Sequence, residues 1–129
     1  MSSEETERYV AIQLQRAEES FAIAAKLSDE HPTFCVNRYY YTLYYAISAL
    51  LMEEGITVKT HKGVISEFGR HFVATGKLPI ESARLLAQVA QLRTVGDYDV
   101  EANFTTAEVR DLHLPIRSLL DEIRAYLGK

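Results

Sequence analysis

The chain has 129 residues, 47% hydrophobic and 25% charged, a size and balance that fit one folded domain over residues 1–129 and exclude two full domains or a disordered polymer. Fourteen Lys and Arg against eighteen Asp and Glu give a net charge of -4, which excludes a protein that coats nucleic acid by bulk positive charge but leaves room for a local basic patch. The lone Cys35 excludes an internal disulfide framework and a cysteine-cluster zinc site, no apolar run reaches the roughly 18 residues of a membrane span, and the opening MSSEETER is too acidic and polar for a secretion signal, so the expected location is the cytoplasm.

Six glycines and three prolines divide the chain into about five helices. Residues 4–27 carry Val10, Leu14, Ala17, Phe21 and Ala24 at four-three spacing, one apolar stripe, with Glu4, Glu5 and Glu7 at the positive end of the helix dipole. Ser28 to Pro32 reads as a turn, because proline disfavours helix in the residue before it. Residues 33–54 carry a broad stripe of Val36, Tyr40, Leu43, Tyr44, Ile47, Leu50 and Leu51, wide enough for a central position, with Gly55 at the C-terminal cap. Residues 62–73 form a shorter helix, capped by Thr60, with Val64, Ile65, Phe68 and Phe72 inward; residues 75–79 are a loop. The fourth helix spans residues 80–95, with Leu85, Leu86, Val89 and Leu92 as its core face and Gly96 as its cap. Residues 97–104 read as a polar loop. Thr105 and Glu108 have capping-box spacing and open a last helix that reaches Leu127, with a kink or break expected at Pro115. Short loops between amphipathic helices predict an all-α, up-and-down antiparallel bundle. The broad second stripe points to a homodimer.

Four segments could carry chemistry. Five of the eight tyrosines lie within the run Tyr39 to Tyr45, where Tyr41, Tyr44 and Tyr45 share one flank; packing and a stacking or interface role are both open to them. Arg38, in the same run, could brace a phosphate or carboxylate, or be solvated. The stretch from Gly55 to Lys77 sets Lys59, Lys62, Arg70 and Lys77 against Glu67, and Lys59-Thr60-His61-Lys62 opens a helix, where free N–H groups favour anions. It has no Gly-x-x-x-x-Gly-Lys pattern. Arg93, Asp97 and Tyr98 cluster where the fourth helix gives way to a loop; a plain Arg93–Asp97 pair at the helix end fits equally well. His31, His61, His71 and His113 form no ligand pairs at helical spacing, so no metal is expected.

Taken in order, the runs NRYYYTLYYA, KTHKGVI, FGRHFVATGKLP and LRTVGDY resemble the HEPN-domain family, in its small stand-alone prokaryotic branch, from about Thr6 to Tyr126. The resemblance implies an all-helical, commonly dimeric bundle. It implies a module, of toxin–antitoxin or stress type, shared with a separate small nucleotidyltransferase. Many members are metal-independent ribonucleases with an arginine followed, after four to six residues, by a histidine; arginine would stabilise phosphate charge and histidine would move a proton. Here Arg93 fits the arginine slot, Thr94 follows it, Tyr98 occupies the histidine slot, and no histidine in the chain stands at that distance after an arginine. The tyrosine that the partner enzyme modifies with AMP in some members corresponds to Val100. The expected function is therefore nucleotide or RNA binding without a cofactor, with Arg93, Asp97, Tyr98, Arg38, Tyr41, Lys59 and His61 as the candidate residues. The alternatives are a ribonuclease toxin that uses Tyr98 in place of histidine and a purely structural dimerisation module.

Overall fold

A computed structural model describes residues 2–99, 101 and 103–129. Its helices are α1 (Ser3–Leu27), α2 (Pro32–Glu53), α3 (His61–Phe68), α4 (Ile80–Tyr98), α5 (Thr106–Arg110) and α6 (His113–Leu127). One π-helical turn, Gly69–Val73, prolongs α3. The described residues contain no strand, and the molecule is an all-α bundle. None of the described helices is long and apolar enough to cross a membrane.

Local chemistry sets the helix ends. Ser2 Oγ accepts from the Glu5 N–H at 3.1 Å and caps α1. Pro32 starts α2 one residue earlier than its periodicity suggests, because the first helical position needs no N–H donor. At the other end of α2, Gly55 (φ 72°) donates to the Met52 carbonyl and Ile56 donates to that of Leu51, a Schellman motif. Thr60 caps α3 through the Gly63 N–H at 2.9 Å. Thr105 and Glu108 form the reciprocal capping box of α5.

Two further boundaries differ from the sequence reading. Gly96 does not cap α4, which continues to Tyr98. Gly96 is instead a close-approach point: a Cβ there would lie 3.1 Å from the Phe104 ring and 3.2 Å from the Thr33 methyl. The last helical segment breaks at Asp111–Leu112, and Pro115 falls in the first turn of α6. Proline has no N–H for the Asp111 carbonyl and its ring would crowd that carbonyl, so the break is displaced four residues toward the N-terminus.

The central helix is α2, which packs against α1, α3, α4, α5 and α6. Its pairing with α1 is antiparallel: Ser20 Oγ donates to the Arg38 carbonyl at 2.7 Å, and Cys35 Sγ to the Ala24 carbonyl at 3.1 Å. The α1 stripe Val10, Leu14, Ala17, Phe21 and Ala24 is buried, as are Leu43, Ile47, Phe68, Phe72, Leu86, Ile116 and Ile123. Burial pushes the Cys35 thiol up to about 11, so it behaves as core filler. Polar ties fix α6 to the hairpin. Arg117 holds both Glu18 oxygens at 2.8 and 2.9 Å and also Asp121, which keeps both carboxyls below their usual range. Tyr39, fully buried, shares a 2.7 Å hydrogen bond with His113 Nδ1.

Candidate functional site

The flank of α2 that carries Asn37, Arg38, Tyr41 and Tyr44 is only partly buried. These residues recur at three and four places, so they form one row along the helix. The C-terminal half of α4 lies against the start of this row, and the first residue of α3 against its middle.

Arg93 is the junction. Its Cζ sits 5.0 Å from the Tyr40 ring centroid and 5.7 Å from that of Tyr41, and its Nη2 is 3.5 Å from the Tyr41 hydroxyl. The Nε lies 3.0 Å from Asp97 Oδ2, one helical turn on, but it is a buried donor whose N–H finds no straight acceptor among the described residues. Contact with Asp97 is thus an ion pair rather than a well-aligned hydrogen bond. Asn37 Nδ2 approaches the same Asp97 oxygen at 3.4 Å, while Asn37 Oδ1 accepts from Arg38 Nε and Nη2 at 3.2 and 2.8 Å. The Arg38 guanidinium lies over the Tyr41 ring at 5.0 Å. One tyrosine ring therefore has two guanidinium neighbours, and one carboxylate offsets half of their charge.

His61 completes the cluster. Its ring stacks on Tyr44 at 4.4 Å and on Tyr40 at 5.7 Å, and meets the edge of Tyr41 at 5.8 Å. Its Nδ1 shares a 2.7 Å hydrogen bond with the Tyr40 hydroxyl. Burial, and then the Arg93 charge, hold the His61 pKa below its ordinary value, so the ring is uncharged at neutral pH. Burial pushes Tyr40 up to about 12, so its hydroxyl keeps its proton.

Arg93, Asp97, Arg38, Tyr41 and His61 thus stand together, drawn from three helices. Tyr98 and Lys59 stand apart. Because α4 stays helical through residue 98, a residue five places after Arg93 is turned about 140° around the axis. Tyr98 accordingly points to solvent, 75% exposed, and Tyr41 is the phenol that accompanies Arg93. Lys59 is exposed in the loop before α3. Thr94 bonds back to the Ala90 carbonyl at 3.0 Å within α4, and Val100 lies outside the described residues. Sequence reasoning passed over Tyr40 and Tyr44 as the walls around His61, and Asn37 as the bridge between Arg38 and Asp97. The three-four spacing of 37, 41 and 44 was the available signal; the partner helices were not. No group of three or more His, Cys, Asp or Glu is placed to hold a metal among the described residues.

Such a site can grip an anion through guanidinium N–H groups and stack a flat ring on tyrosine. A UPF0332 protein of Thermotoga maritima is 34% identical over 120 residues, covering 92% of this chain and 91% of that protein. Another UPF0332 protein, from Gloeobacter violaceus, is 42% identical over 86 residues, covering 66% and 68%. A Methanocaldococcus jannaschii protein that bears the name "putative toxin" is 29% identical over 115 residues, covering 88% and 78%. The HEPN domain family model matches residues 10–126, from the first buried valine of α1 almost to the end of α6, and with the all-helical bundle built on those residues this chain belongs to the HEPN domain family.

Proposed function

We propose that this chain is the toxin-type component of a toxin–antitoxin or stress module and that it binds RNA or a nucleotide at the Arg93–Arg38–Tyr41–His61 cluster. One observation carries the reading: two guanidiniums, both on partly exposed side chains, lie within 5.7 Å of the same partly exposed tyrosine ring. A phosphate oxygen accepts from guanidinium N–H groups, and the tyrosine face accepts a base. The name of the M. jannaschii relative supports the toxin assignment. The chain acts as a homodimer alongside a separate small nucleotidyltransferase. Phe34, 67% exposed, and Tyr98 stand at the adjoining ends of α2 and α4, and these bare rings support a homodimer seam there.

The test is titration of a labelled single-stranded RNA with the wild-type protein and with Arg93→Ala. The variant should bind at least about tenfold more weakly and show a salt slope shallower by about 0.7, the signature of one lost phosphate contact. Equal affinity and equal slope would remove Arg93 from the binding site. A second reading is metal-independent RNA cleavage, and the position of His61 favours it. In the tautomer whose Nδ1–H is donated to the Tyr40 hydroxyl, Nε2 of the uncharged ring is the atom that accepts a proton. Cleavage that persists in His61→Gln would eliminate it.

A further inference from the structure

The charges of this chain are unevenly placed. Between Gly55 and Pro79 stand Lys59, Lys62, Arg70 and Lys77 against the single acid Glu67, while the rest of the chain holds ten Lys and Arg against seventeen Asp and Glu. Glu67 is occupied by His71 Nε2 at 2.8 Å, and Lys77 lies 3.9 Å from Glu54. Lys59, Lys62 and Arg70 are exposed and have no acidic partner among the described residues. A basic edge therefore projects from an otherwise acidic molecule, and its field draws polyanions.

Local contacts hold this edge in place. Thr60 Oγ1 caps α3, and a Cβ on Gly63 would come within 2.6 Å of the Val58 methyl, so the loop that carries Lys59 closes tightly on the first turn of α3. Lys62, Ser66 and Arg70 are exposed and recur every four places, a ridge about 12 Å long that runs along α3 into its π-helical turn. Val64 lines a cavity of about 290 Å³ with Gln13 of α1 and Tyr44. Lys62, two places earlier, is turned about 200° around the helix from Val64 and so faces away from that cavity. Next to Lys62, His61 packs on Tyr40, Tyr41 and Tyr44; burial and then the Arg93 charge lower its pKa, so the positive field of the cluster reaches the head of the ridge. The ridge thus starts beside the Arg93 cluster and leads along α3 away from it.

Three kinds of polyanion answer a basic ridge. A lipid surface also asks for apolar side chains that enter the bilayer, and none of the large hydrophobic residues exposed among the described residues lies between 55 and 79. An acidic polypeptide asks for cations alone. Single-stranded RNA asks for cations that follow its backbone and for aromatic faces that meet its bases, and the partly exposed Tyr41 and Tyr44 stand at the head of the ridge, against His61.

We infer that Lys59, Lys62 and Arg70 form a rail for the phosphates of single-stranded RNA, so that the ligand of this chain is an oligonucleotide several nucleotides long rather than a free nucleotide. The rail deepens the RNA-or-nucleotide reading of the Arg93 cluster and rests on it for its starting point.

The full chain is titrated with oligouridylates of two to ten nucleotides at several salt concentrations, by NMR for the shortest and by fluorescence anisotropy for the rest. The rail variant is Lys59→Gln/Lys62→Gln/Arg70→Gln. Its control, Arg8→Gln/Arg16→Gln/Lys26→Gln, removes the same charge from exposed positions on α1. The rail variant should bind the decamer at least about tenfold more weakly, with a salt slope shallower by about 2, the sum of three phosphate contacts. Its affinity for the dinucleotide should stay within about twofold, since a ligand of that length is held by the cluster and distant charges are screened. The control should keep decamer affinity within about threefold, and both variants should melt with the wild type, because every replaced side chain is exposed. Decamer affinity and slope unchanged in the rail variant overturn the inference, as does an equal loss in the control, which assigns the effect to net charge. Displacement of the decamer by polyglutamate as readily as by unlabelled RNA of equal charge overturns it too, in favour of an acidic polypeptide. Weakened decamer binding in the rail variant with none in Arg93→Ala upholds the rail and overturns the cluster reading. The reverse overturns the rail and leaves the cluster standing, and no binding of any oligonucleotide overturns both.

Discussion

Replacing Tyr40 by phenylalanine removes one oxygen and leaves the ring in place. The Tyr40 ring is 2% exposed, and its hydroxyl makes a single 2.7 Å hydrogen bond, to His61 Nδ1. The substitution therefore strands a ring nitrogen in a site where water has little access. The cost of such a stranded group is about 1–2 kcal/mol, at the low end of the usual range because His61 keeps some exposure. For a chain of this size that corresponds to a fall of roughly 3–8 °C in thermal midpoint. The contribution of the bond itself comes from a double-mutant cycle of Tyr40→Phe with His61→Phe, which keeps two stacked rings, followed by urea unfolding. A coupling of about 1 kcal/mol is expected, and Tyr41→Phe, at a partly exposed residue whose hydroxyl lies 3.5 Å from Arg93 Nη2, should cost less than about 0.5 kcal/mol. Additivity of the Tyr40 and His61 variants within about 0.3 kcal/mol would refute the argument that this bond anchors α3 to α2.

Three further outcomes follow from the same geometry. Gly69→Ala should stabilise the protein by about 0.5–1 kcal/mol, since the backbone there is helical and a Cβ meets nothing within 4 Å, whereas Gly96→Ala should lose that gain against Phe104 and Thr33; equal midpoint shifts in thermal melts would contradict the close approach. The Glu18 and Asp121 carboxyls titrate below their unfolded values, so their contribution is full above about pH 4.3 and fades as pH falls through their folded values. Arg117→Ala should therefore be destabilised most at neutral pH and converge on the wild type in acid; a constant gap between the two urea midpoints down to pH 3 would count against the linkage. His61 titrates below its unfolded value of about 6.5, so the unfolded chain binds protons first, and wild-type stability relative to His61→Gln should drop from pH 7.5 to 5.5; a rise over that interval would reverse the assigned sign.

The sequence alone determined the helices, because the apolar stripes of α1, α2 and α6 repeat at helical spacing and their caps are local motifs: Ser2, Thr60, Gly55, and Thr105 with Glu108. It also contained the Arg93–Asp97 ion pair, since residues four apart on a helix are neighbours. Where a boundary depended on packing, local rules misled. Glycine often ends a helix, yet Gly96 serves the approach of Phe104, while α4 continues to Tyr98 and its helical geometry turns that residue away from Arg93. Only the tertiary structure decided which phenol meets the arginine, that His61 packs against both Tyr40 and Tyr44, and that Gln13 of α1 lines a cavity with residues more than forty places later. Periodicity says which face of a helix is buried, but the choice of partner across that face depends on the shape and register of the whole bundle, which no short window of sequence contains.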